Sequence, residues 1–211
     1  MSMGCTAAEV AAALRAAAEV IAKHRDELVQ LDRAIGDGDH GENLKRGFTF
    51  IVSKLDESTP DSPAAVLKLA ASTLISKVGG AAGPLYGTAF LRAATAVGDA
   101  TELDAASVTA ALRAALGGVV ARGKAELGDK TMVDALDPAV RAAEEADADV
   151  AGVLAAAADA AEAGAESTLP LVARKGRASY LGERSAGHLD PGARSTSLLL
   201  RSFADSAGGQ R

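Results

Sequence analysis

Alanine is the residue that most constrains this chain, since 50 of its 211 residues are Ala and a further 22 are Gly. Alanine is the best helix former, whereas strands are enriched in β-branched and aromatic residues. Phe, Tyr and Trp together make up only 3% of the chain, too few to fill the interior of an all-β protein. We therefore predict an all-α fold. With 48% apolar residues the chain can bury one sizeable core, which excludes disorder throughout.

The charge balance argues against a nucleic-acid partner. The chain has 22 Lys and Arg against 28 Asp and Glu, a net charge of −6, and no basic stripe that could follow a phosphate backbone. The single cysteine, Cys5, cannot form an internal disulfide, and this count fits a reducing compartment. We expect no structural role for Cys5.

No segment has the pattern of a targeting peptide or a membrane span. The apolar N-terminal segment lacks a basic n-region and carries Glu9, Arg15 and Glu19 at helical spacing, which is typical of an amphipathic helix. The longest Ala-rich stretch is interrupted by Asp159 and Glu162 and is too short to span a bilayer. We expect a cytoplasmic protein without a membrane partner.

Apolar spacing predicts about eight amphipathic helices in a single domain over residues 1–211, with a frayed tail at 208–211. Thr6 and Glu9 form a capping-box pattern, and the first helix continues to about Ile35 with a bend near residues 23–25. The other helices are predicted at about Glu42 to Leu55, Pro63 to Val78, Leu85 to Val97, Ala105 to Arg122, Thr131 to Asp147, Val150 to Ala165 and Ala193 to Ala207.

Three aspartates fall close together: Asp32 on the last turn predicted for the first helix, and Asp37 and Asp39 on the Gly-rich loop that follows. Such a loop can fold back so that several carboxylate oxygens point at one position. Carboxylates held that close repel one another unless a cation neutralises them, and hard oxygen ligands suit Mg²⁺ or Ca²⁺. The alternative is a solvated acidic turn in which an Asp caps a helix, and spacing alone leaves both interpretations open.

Two nucleotide-binding patterns are matched only as strings. Gly36, Gly38 and Gly41 have the spacing of the dinucleotide fingerprint, but they follow an amphipathic helix where the fingerprint needs a strand. The stretch from Gly123 to Thr131 approaches the P-loop pattern, but Asp129 is inserted before the Lys and no strand precedes it. We therefore reject both interpretations.

Two further segments are candidate anion sites. The Gly-rich turn from Gly79 to Gly87 precedes a predicted helix, where consecutive backbone N–H groups bind anions, although a plain helix–helix connection explains the same pattern. The polar loop from Arg174 to Gly192 suits an anionic ligand, or is a solvated loop with local charge pairs. This loop is rich in cations: Arg174, Lys175, Arg177 and Arg184. Neither His40 nor His188 has an adjacent Ser or Cys for nucleophilic catalysis.

Taken together, four motifs in this order resemble the L subunit of dihydroxyacetone kinase, DhaL. The resemblance spans nearly the whole chain. The motifs are Gly36-Asp-Gly-Asp-His-Gly-Glu-Asn43, Lys77-Val-Gly-Gly-Ala-Ala-Gly-Pro-Leu-Tyr-Gly87, Gly128-Asp-Lys-Thr-Met132-Val-Asp-Ala-Leu136 and Lys175-Gly-Arg-Ala-Ser-Tyr-Leu-Gly-Glu-Arg-Ser-Ala-Gly-His-Leu-Asp-Pro-Gly192.

The resemblance implies a closed barrel of eight antiparallel amphipathic helices, with ADP and two Mg²⁺ at one end. It implies that Asp32, Asp37 and Asp39 hold both metal ions. The family's nucleotide-contact positions are matched by His40, Gly41, Asn43, Ala81, Ala82, Gly123, Met132 and Arg177, and the late loop that covers the nucleotide is matched by Asp190, Pro191 and Gly192.

One position departs from the family pattern. The family usually has Ser where this chain has Ala82, so a hydroxyl contact to phosphate is absent, although a backbone N–H can still serve. We expect a loss of nucleotide affinity of about one hydrogen bond, ~0.5–1.5 kcal/mol.

The resemblance also implies the reaction. In the family, dihydroxyacetone is held on a histidine of a partner K subunit, and the L subunit delivers the phosphoryl group without a catalytic residue of its own, because Mg²⁺ and the nucleotide position that group. Since no K domain is recognisable in this chain, we expect the phosphoenolpyruvate-dependent type, in which a separate M subunit is the phosphoryl donor and ADP is a retained cofactor.

Two alternatives remain open. One is an ATP-dependent L subunit that serves another small ketose. The other is an ADP-loaded regulatory protein that binds a transcription factor, which needs the same nucleotide site but no transfer.

Overall fold

The computed structural model describes residues 5–209, which form nine α-helices, a short 3₁₀ segment and a minimal two-stranded sheet. The helices are α1 (Ala7–Lys23), α2 (Arg25–Ile35), α3 (His40–Glu57), α4 (Pro63–Lys77), α5 (Ala82–Val97), α6 (Ala105–Gly123), α7 (Val133–Glu145), α8 (Val150–Ser167) and α9 (Pro191–Gly208). The strands are β1 (Cys5–Thr6) and β2 (Glu102–Leu103), and the 3₁₀ segment is Arg177–Ser185. No helix within residues 5–209 is both long and apolar enough to cross a bilayer.

Eight of these helices form a closed ring. Each helix packs on the next in the order α1, α3, α4, α5, α6, α7, α8 and α9, and α9 packs back against α1. Short connections between successive helices make most neighbours antiparallel, whereas α8 and α9 are joined by the long segment 168–190. The ninth helix, α2, follows α1 and packs on α3 and α9 outside this ring order. The predicted all-α barrel of about eight antiparallel helices is therefore confirmed.

The first predicted helix is broken in two, as the predicted bend anticipated. Thr6 and Glu9 form the capping box at the start of α1, with the Glu9 carboxylate accepting from the Thr6 N–H at 2.6 Å. His24 then leaves the helical conformation, with φ −94° and ψ 8°, and its Nδ1 lies 2.6 Å from Glu27 Oε2 in the first turn of α2. This break accounts for the ninth helix.

The core of the barrel combines large apolar side chains with many alanines. Leu14, Phe48 and Ile51 are fully buried, and so are alanines such as Ala17 and Ala157. Small side chains let helix axes approach closely. The contact between α7 and α8 depends on this, because a Cβ at Gly164 would overlap the carbonyl oxygen of Asp134.

The sheet was not anticipated by the sequence pattern. Cys5 pairs with Leu103 and Thr6 pairs with Glu102 in an antiparallel register. Cys5 therefore has a structural role, contrary to expectation, and burial raises the pKa of its thiol to about 11, which keeps it protonated.

At the other terminus, the tail was predicted to fray from Gly208 onwards. In the structure, Gly208 is the last residue of α9. Gly209 caps this helix, and residues 210 and 211 lie outside the described part of the chain.

The helix contacts lead to a prediction about two glycines. Gly164→Ala should destabilise the protein by about 1–3 kcal/mol, because the new Cβ would force α7 and α8 apart. Gly117→Ala is the matched control, since Gly117 lies on the exposed face of α6 with no heavy atom within 4 Å of an added Cβ. It should stabilise the protein by about 0.5–1 kcal/mol through its helix propensity. Urea unfolding measures both, and equal shifts for the two variants would contradict the close α7–α8 contact.

Candidate nucleotide and metal site

A cleft at one end of the barrel gathers the N-termini of four helices. The connections before α3, α5, α7 and α9 all line it, together with the last turn of α2 and the loop around the 3₁₀ segment. Among the predicted site residues, eleven line this cleft: Asp32, Asp37, Asp39, His40, Ala81, Ala82, Met132, Arg177, Asp190, Pro191 and Gly192.

The capping pattern of the helices differs between the two ends of the barrel. Helices α1, α4, α6 and α8 begin with a Thr, Ser or Asp whose side chain accepts a backbone N–H of the first turn. At the cleft, Asp190 caps α9 in the same way, whereas the N-cap residues of α3, α5 and α7, namely Asp39, Ala81 and Met132, supply no such side-chain bond. The first helical N–H groups of α3 and α7 are accepted instead by the side chains of Asp32 and Thr131, respectively. Uncapped N–H groups at a helix N-terminus, with the positive end of the helix dipole, favour bound anions.

Asp32 determines the shape of the loop that carries the other two aspartates. It lies in the last turn of α2 with only 8% of its surface exposed, and its Oδ2 accepts the backbone N–H groups of Asp39 at 2.8 Å and His40 at 3.1 Å. These bonds fold the loop back over the end of α2. The loop passes so close that a Cβ at Gly36 would overlap Asp32 Oδ1, so a larger residue there would displace the Asp32 carboxylate.

The folded loop brings the three carboxylates together. One oxygen each of Asp32, Asp37 and Asp39 lie within 4.8 Å of one another, and Asp37 and Asp39 are exposed to the cleft. Arg177 Nη2 lies 2.9 Å from Asp37 Oδ2 and partly neutralises the cluster. Three converging carboxylates form the donor set that Mg²⁺ or Ca²⁺ prefers, so the residues present fit a divalent cation.

His40 links this loop to α9 through a buried network of hydroxyl groups. Its Nε2 lies 2.8 Å from Ser195 Oγ, and Ser195 Oγ lies 2.7 Å from the Tyr86 hydroxyl, which in turn lies 2.9 Å from Thr196 Oγ1. Burial lowers the pKa of His40 and raises the pKa of Tyr86 to about 12, so both side chains are neutral near pH 7.

The proximity of His40 and Ser195 does not make a nucleophile. Ser195 is fully buried, and its Oγ also donates to the carbonyl of Gly192 at 3.1 Å. Neither His40 nor His188 has a serine next to it in the sequence. The fold brings His40 to Ser195, which lies 155 positions further along the chain. The contact orients the imidazole at the floor of the cleft, and the hydroxyl is closed off from any substrate.

The Gly-rich turn lies directly beside the carboxylates. Gly80 has a left-handed backbone, with φ +65°, and a Cβ there would lie 3.8 Å from Asp39 Oδ1. Asn43 packs behind the turn, where its Oδ1 accepts from Arg46 Nη2 at 2.7 Å. The backbone at Ala81 and Ala82 then opens α5 toward the cleft.

Asp190 begins α9 on the opposite wall. Its Oδ2 accepts the N–H of Ala193 at 2.7 Å, so it serves as the N-cap of the helix. Burial raises the pKa of this carboxyl to about 7, against the lowering effect of the Ala193 N–H and the nearby Lys130.

Three predicted contact residues lie outside the lining of the cleft. Gly41 is on the face of α3 turned toward α2, where a Cβ would overlap the carbonyl oxygen of Arg25. Asn43 is buried behind the Gly-rich turn, and Gly123 ends α6 beside Leu85, which does line the cleft. The structure thus gives Gly41 a packing role, and direct nucleotide contacts of all three stay predictions.

Sequence reasoning missed several residues that shape the cleft. Lys130, Thr131 and Tyr86 line it, and Ser195 supports it from beneath. Lys130 lies in the stretch from Gly123 to Thr131, which approaches the P-loop pattern. This stretch is not a P-loop, because the element before it is helix α6 and not a strand. Tyr86, Lys130 and Thr131 lie within two of the four motifs, but those motifs did not single them out as site residues, and Ser195 lies in none of them.

The chain matches a known family over most of its length. The DAK2 domain model matches residues 34–205. The PEP-dependent dihydroxyacetone kinase 1, ADP-binding subunit DhaL, of Listeria innocua is 46% identical over 185 residues, which cover 88% of this chain and 89% of that protein. The corresponding ADP-binding subunit DhaL of Escherichia coli is 45% identical over 189 residues, with coverages of 88% and 90%.

A solved structure has the same fold. The dihydroxyacetone kinase from C. freundii, in complex with AMP-PNP and Mg²⁺, aligns with a TM-score of 0.75 at 28% identity, over 98% of this chain and 35% of that chain. This chain therefore corresponds to about a third of that larger protein. The match to the family and the identity to these relatives show that the chain belongs to the DAK2 domain family, in agreement with the resemblance to dihydroxyacetone kinase L subunits.

Proposed function

We propose that this protein is the ADP- and Mg²⁺-dependent phosphoryl-transfer subunit of a dihydroxyacetone kinase, which passes a phosphoryl group to dihydroxyacetone bound on a separate K subunit. One observation carries the proposal: three converging carboxylates share one cleft with the N-termini of α3, α5 and α7, whose N-cap side chains make no capping bond. Carboxylates attract divalent cations and helix N-termini attract anions, so the cleft suits a metal-bound polyphosphate.

In this proposal, Asp32, Asp37 and Asp39 hold two Mg²⁺ ions. When bound, these ions neutralise phosphate charge and align the oxygens for in-line transfer. The remaining predicted contacts, including Arg177 and the backbone at Ala81 and Ala82, bind and orient the nucleotide.

The buried groups of the cleft contribute geometry and leave the chemistry to the bound phosphates. Asp32 holds the loop, and the neutral His40 is fixed by Ser195 and Tyr86. Because the Ser195 hydroxyl beside His40 is fully buried, it cannot accept the phosphoryl group, and the proposed acceptor comes from outside this chain. A ketose held on another subunit meets that requirement.

We propose the phosphoryl donor by comparing the sequence identity of this chain to two groups of relatives. The relatives named as ADP-binding DhaL subunits of PEP-dependent kinases in Listeria innocua and Escherichia coli are 45–47% identical to this chain. Relatives named as erythrulose kinases are 33–35% identical. We therefore favour a separate M subunit as donor, with ADP retained as a cofactor, in the cytoplasm. Binding of a transcription regulator stays a prediction.

The proposal predicts what the purified protein contains and transfers. Denaturation of extensively dialysed protein should release ADP in about equimolar amount, as identified by chromatography. Phosphorylation of dihydroxyacetone should require both a K subunit and an M subunit charged from phosphoenolpyruvate. Transfer from ATP without the M subunit would contradict the proposed donor, and transfer only to erythrulose would contradict the proposed acceptor.

A second prediction tests the carboxylate cluster. Asp37→Asn removes one charge from the exposed side of the cluster, so Mg²⁺ should bind more weakly and most of the ADP should be lost on dialysis. Asp61→Asn is the matched control, since Asp61 is an exposed aspartate in the turn before α4. ADP content after dialysis, measured with and without added Mg²⁺, reads out both variants. Equal ADP content in Asp37→Asn and the control would contradict the metal assignment.

A further inference from the structure

Lys130 is placed in an unfavourable environment that local structure does not explain. Its side chain is only 1% exposed, and its backbone is left-handed, with φ +63°. Burying an ammonium group and forcing a non-glycine residue into this conformation both cost free energy. Burial also lowers its pKa, opposed by the carboxylates of Asp190 and Asp134.

The Lys130 ammonium group joins the two ends of a long loop. Its Nζ donates to the carbonyl of Thr168 at 2.6 Å and to the carbonyl of His188. Thr168 is the first residue of the segment between α8 and α9, here called the covering loop (residues 168–190), and His188 lies two residues before its end. One side chain from the α6–α7 connection therefore fixes the base of a loop that belongs to other helices.

Further bonds at the same place close the base. The Gly187 N–H donates to the Leu169 carbonyl at 2.7 Å, and the Asp190 N–H donates to Thr168 Oγ1 at 3.0 Å. The Arg174 N–H donates to the carbonyl of Asp129, the residue before Lys130, at 3.0 Å. Lys130 is the only cation among these groups. Its ammonium group is bonded to both ends of the loop, at Thr168 and at His188.

The far side of the covering loop reaches the cluster of three carboxylates. Arg177 pairs with Asp37 at 2.9 Å, while 68% of its side chain is exposed. The adjacent Ala178 packs with Ile35 and Ala173 in a small apolar cluster that is separate from the main core. Because the Arg177 guanidinium is so exposed, few contacts hold it in place. Its position therefore depends on the path of the covering loop.

We propose that Lys130 is a positioning residue for nucleotide binding: it fixes the base of the covering loop so that Arg177 is held over Asp37 and the cleft. The nucleotide part of this inference rests on the proposed function, whereas the closure of the loop does not.

Trypsin tests the loop alone, because the covering loop contains Arg174, Lys175, Arg177 and Arg184 as cleavage sites. Lys130→Met keeps the side-chain length and removes both bonds, so cleavage within residues 174–184 should be faster by about tenfold or more. Lys124→Met is the matched control, since Lys124 is exposed in the same connection and also has a positive φ, +53°. Mass spectrometry of early fragments locates the cuts, and equal rates in the two variants would overturn the role of Lys130 in the loop.

A double-mutant cycle tests the route through Arg177. The dissociation constant for ADP in the presence of Mg²⁺ is measured by calorimetry on nucleotide-stripped protein carrying Lys130→Met, Arg177→Ala or both. Lys130→Met should weaken binding about tenfold in the parent protein and by less than about twofold in the Arg177→Ala background. Equal losses in both backgrounds would overturn the proposal, because Lys130 would then act without Arg177.

Thr168→Val keeps the test decisive if Lys130→Met fails to fold. This isosteric change removes the Thr168 Oγ1 bond to the Asp190 N–H and leaves the Thr168 carbonyl in place. It should raise cleavage of the covering loop by a few-fold, and an unchanged rate would contradict a loop held at its base. If the parent protein binds no ADP while Lys130→Met still opens the loop, the proposed function fails and the positioning of the loop stands.

Discussion

The site depends on the buried carboxylate of Asp32. By accepting two backbone N–H groups from the start of α3, it turns the chain back at the end of α2 and sets the distance between these two helices. The turn brings Asp37 and Asp39 next to Asp32. Arg177 offsets part of the resulting concentration of negative charge, and a divalent ion would offset the rest.

The barrel separates scaffold from chemistry. Alanine and glycine on the helix faces allow close contacts, such as that between α7 and α8 at Gly164, so the helices form a rigid wall with little functional chemistry. The antiparallel order then places alternate N-termini at the same end. The ends away from the cleft are capped by the side chains of Thr6, Ser62, Asp104 and Asp149, whereas the N-cap side chains of α3, α5 and α7 make no such bond.

Connections between distant helices hold the cleft in shape. Glu27 on α2 pairs with Arg194 on α9 at 2.6 Å, close to the point where His40 meets Ser195. Lys130 extends the same principle to the covering loop. Bonds between residues that are far apart in the sequence thus position the groups that line the cleft.

Local features of the sequence were sufficient for the helices and for the aspartate cluster. The capping box at Thr6 and Glu9, the bend before α2 and the fold-back of the loop after Asp32 all follow from residues near one another in the chain. The pairing of Cys5 with Leu103, the contact between His40 and Ser195 and the bonds of Lys130 join residues tens of positions apart. Periodicity and spacing carry no information about such contacts, so only the folded structure reveals them.

We propose that Asp32, Asp37 and Asp39 form a divalent-metal site that faces a nucleotide. Anomalous diffraction from crystals grown with ADP and Mn²⁺ tests this site, because manganese substitutes for magnesium and can be located by its own scattering. We expect two manganese peaks within coordination distance of these three carboxylates, with the phosphates of ADP on the side of α3 and α5. Manganese bound elsewhere, or ADP bound away from this cleft, would contradict it.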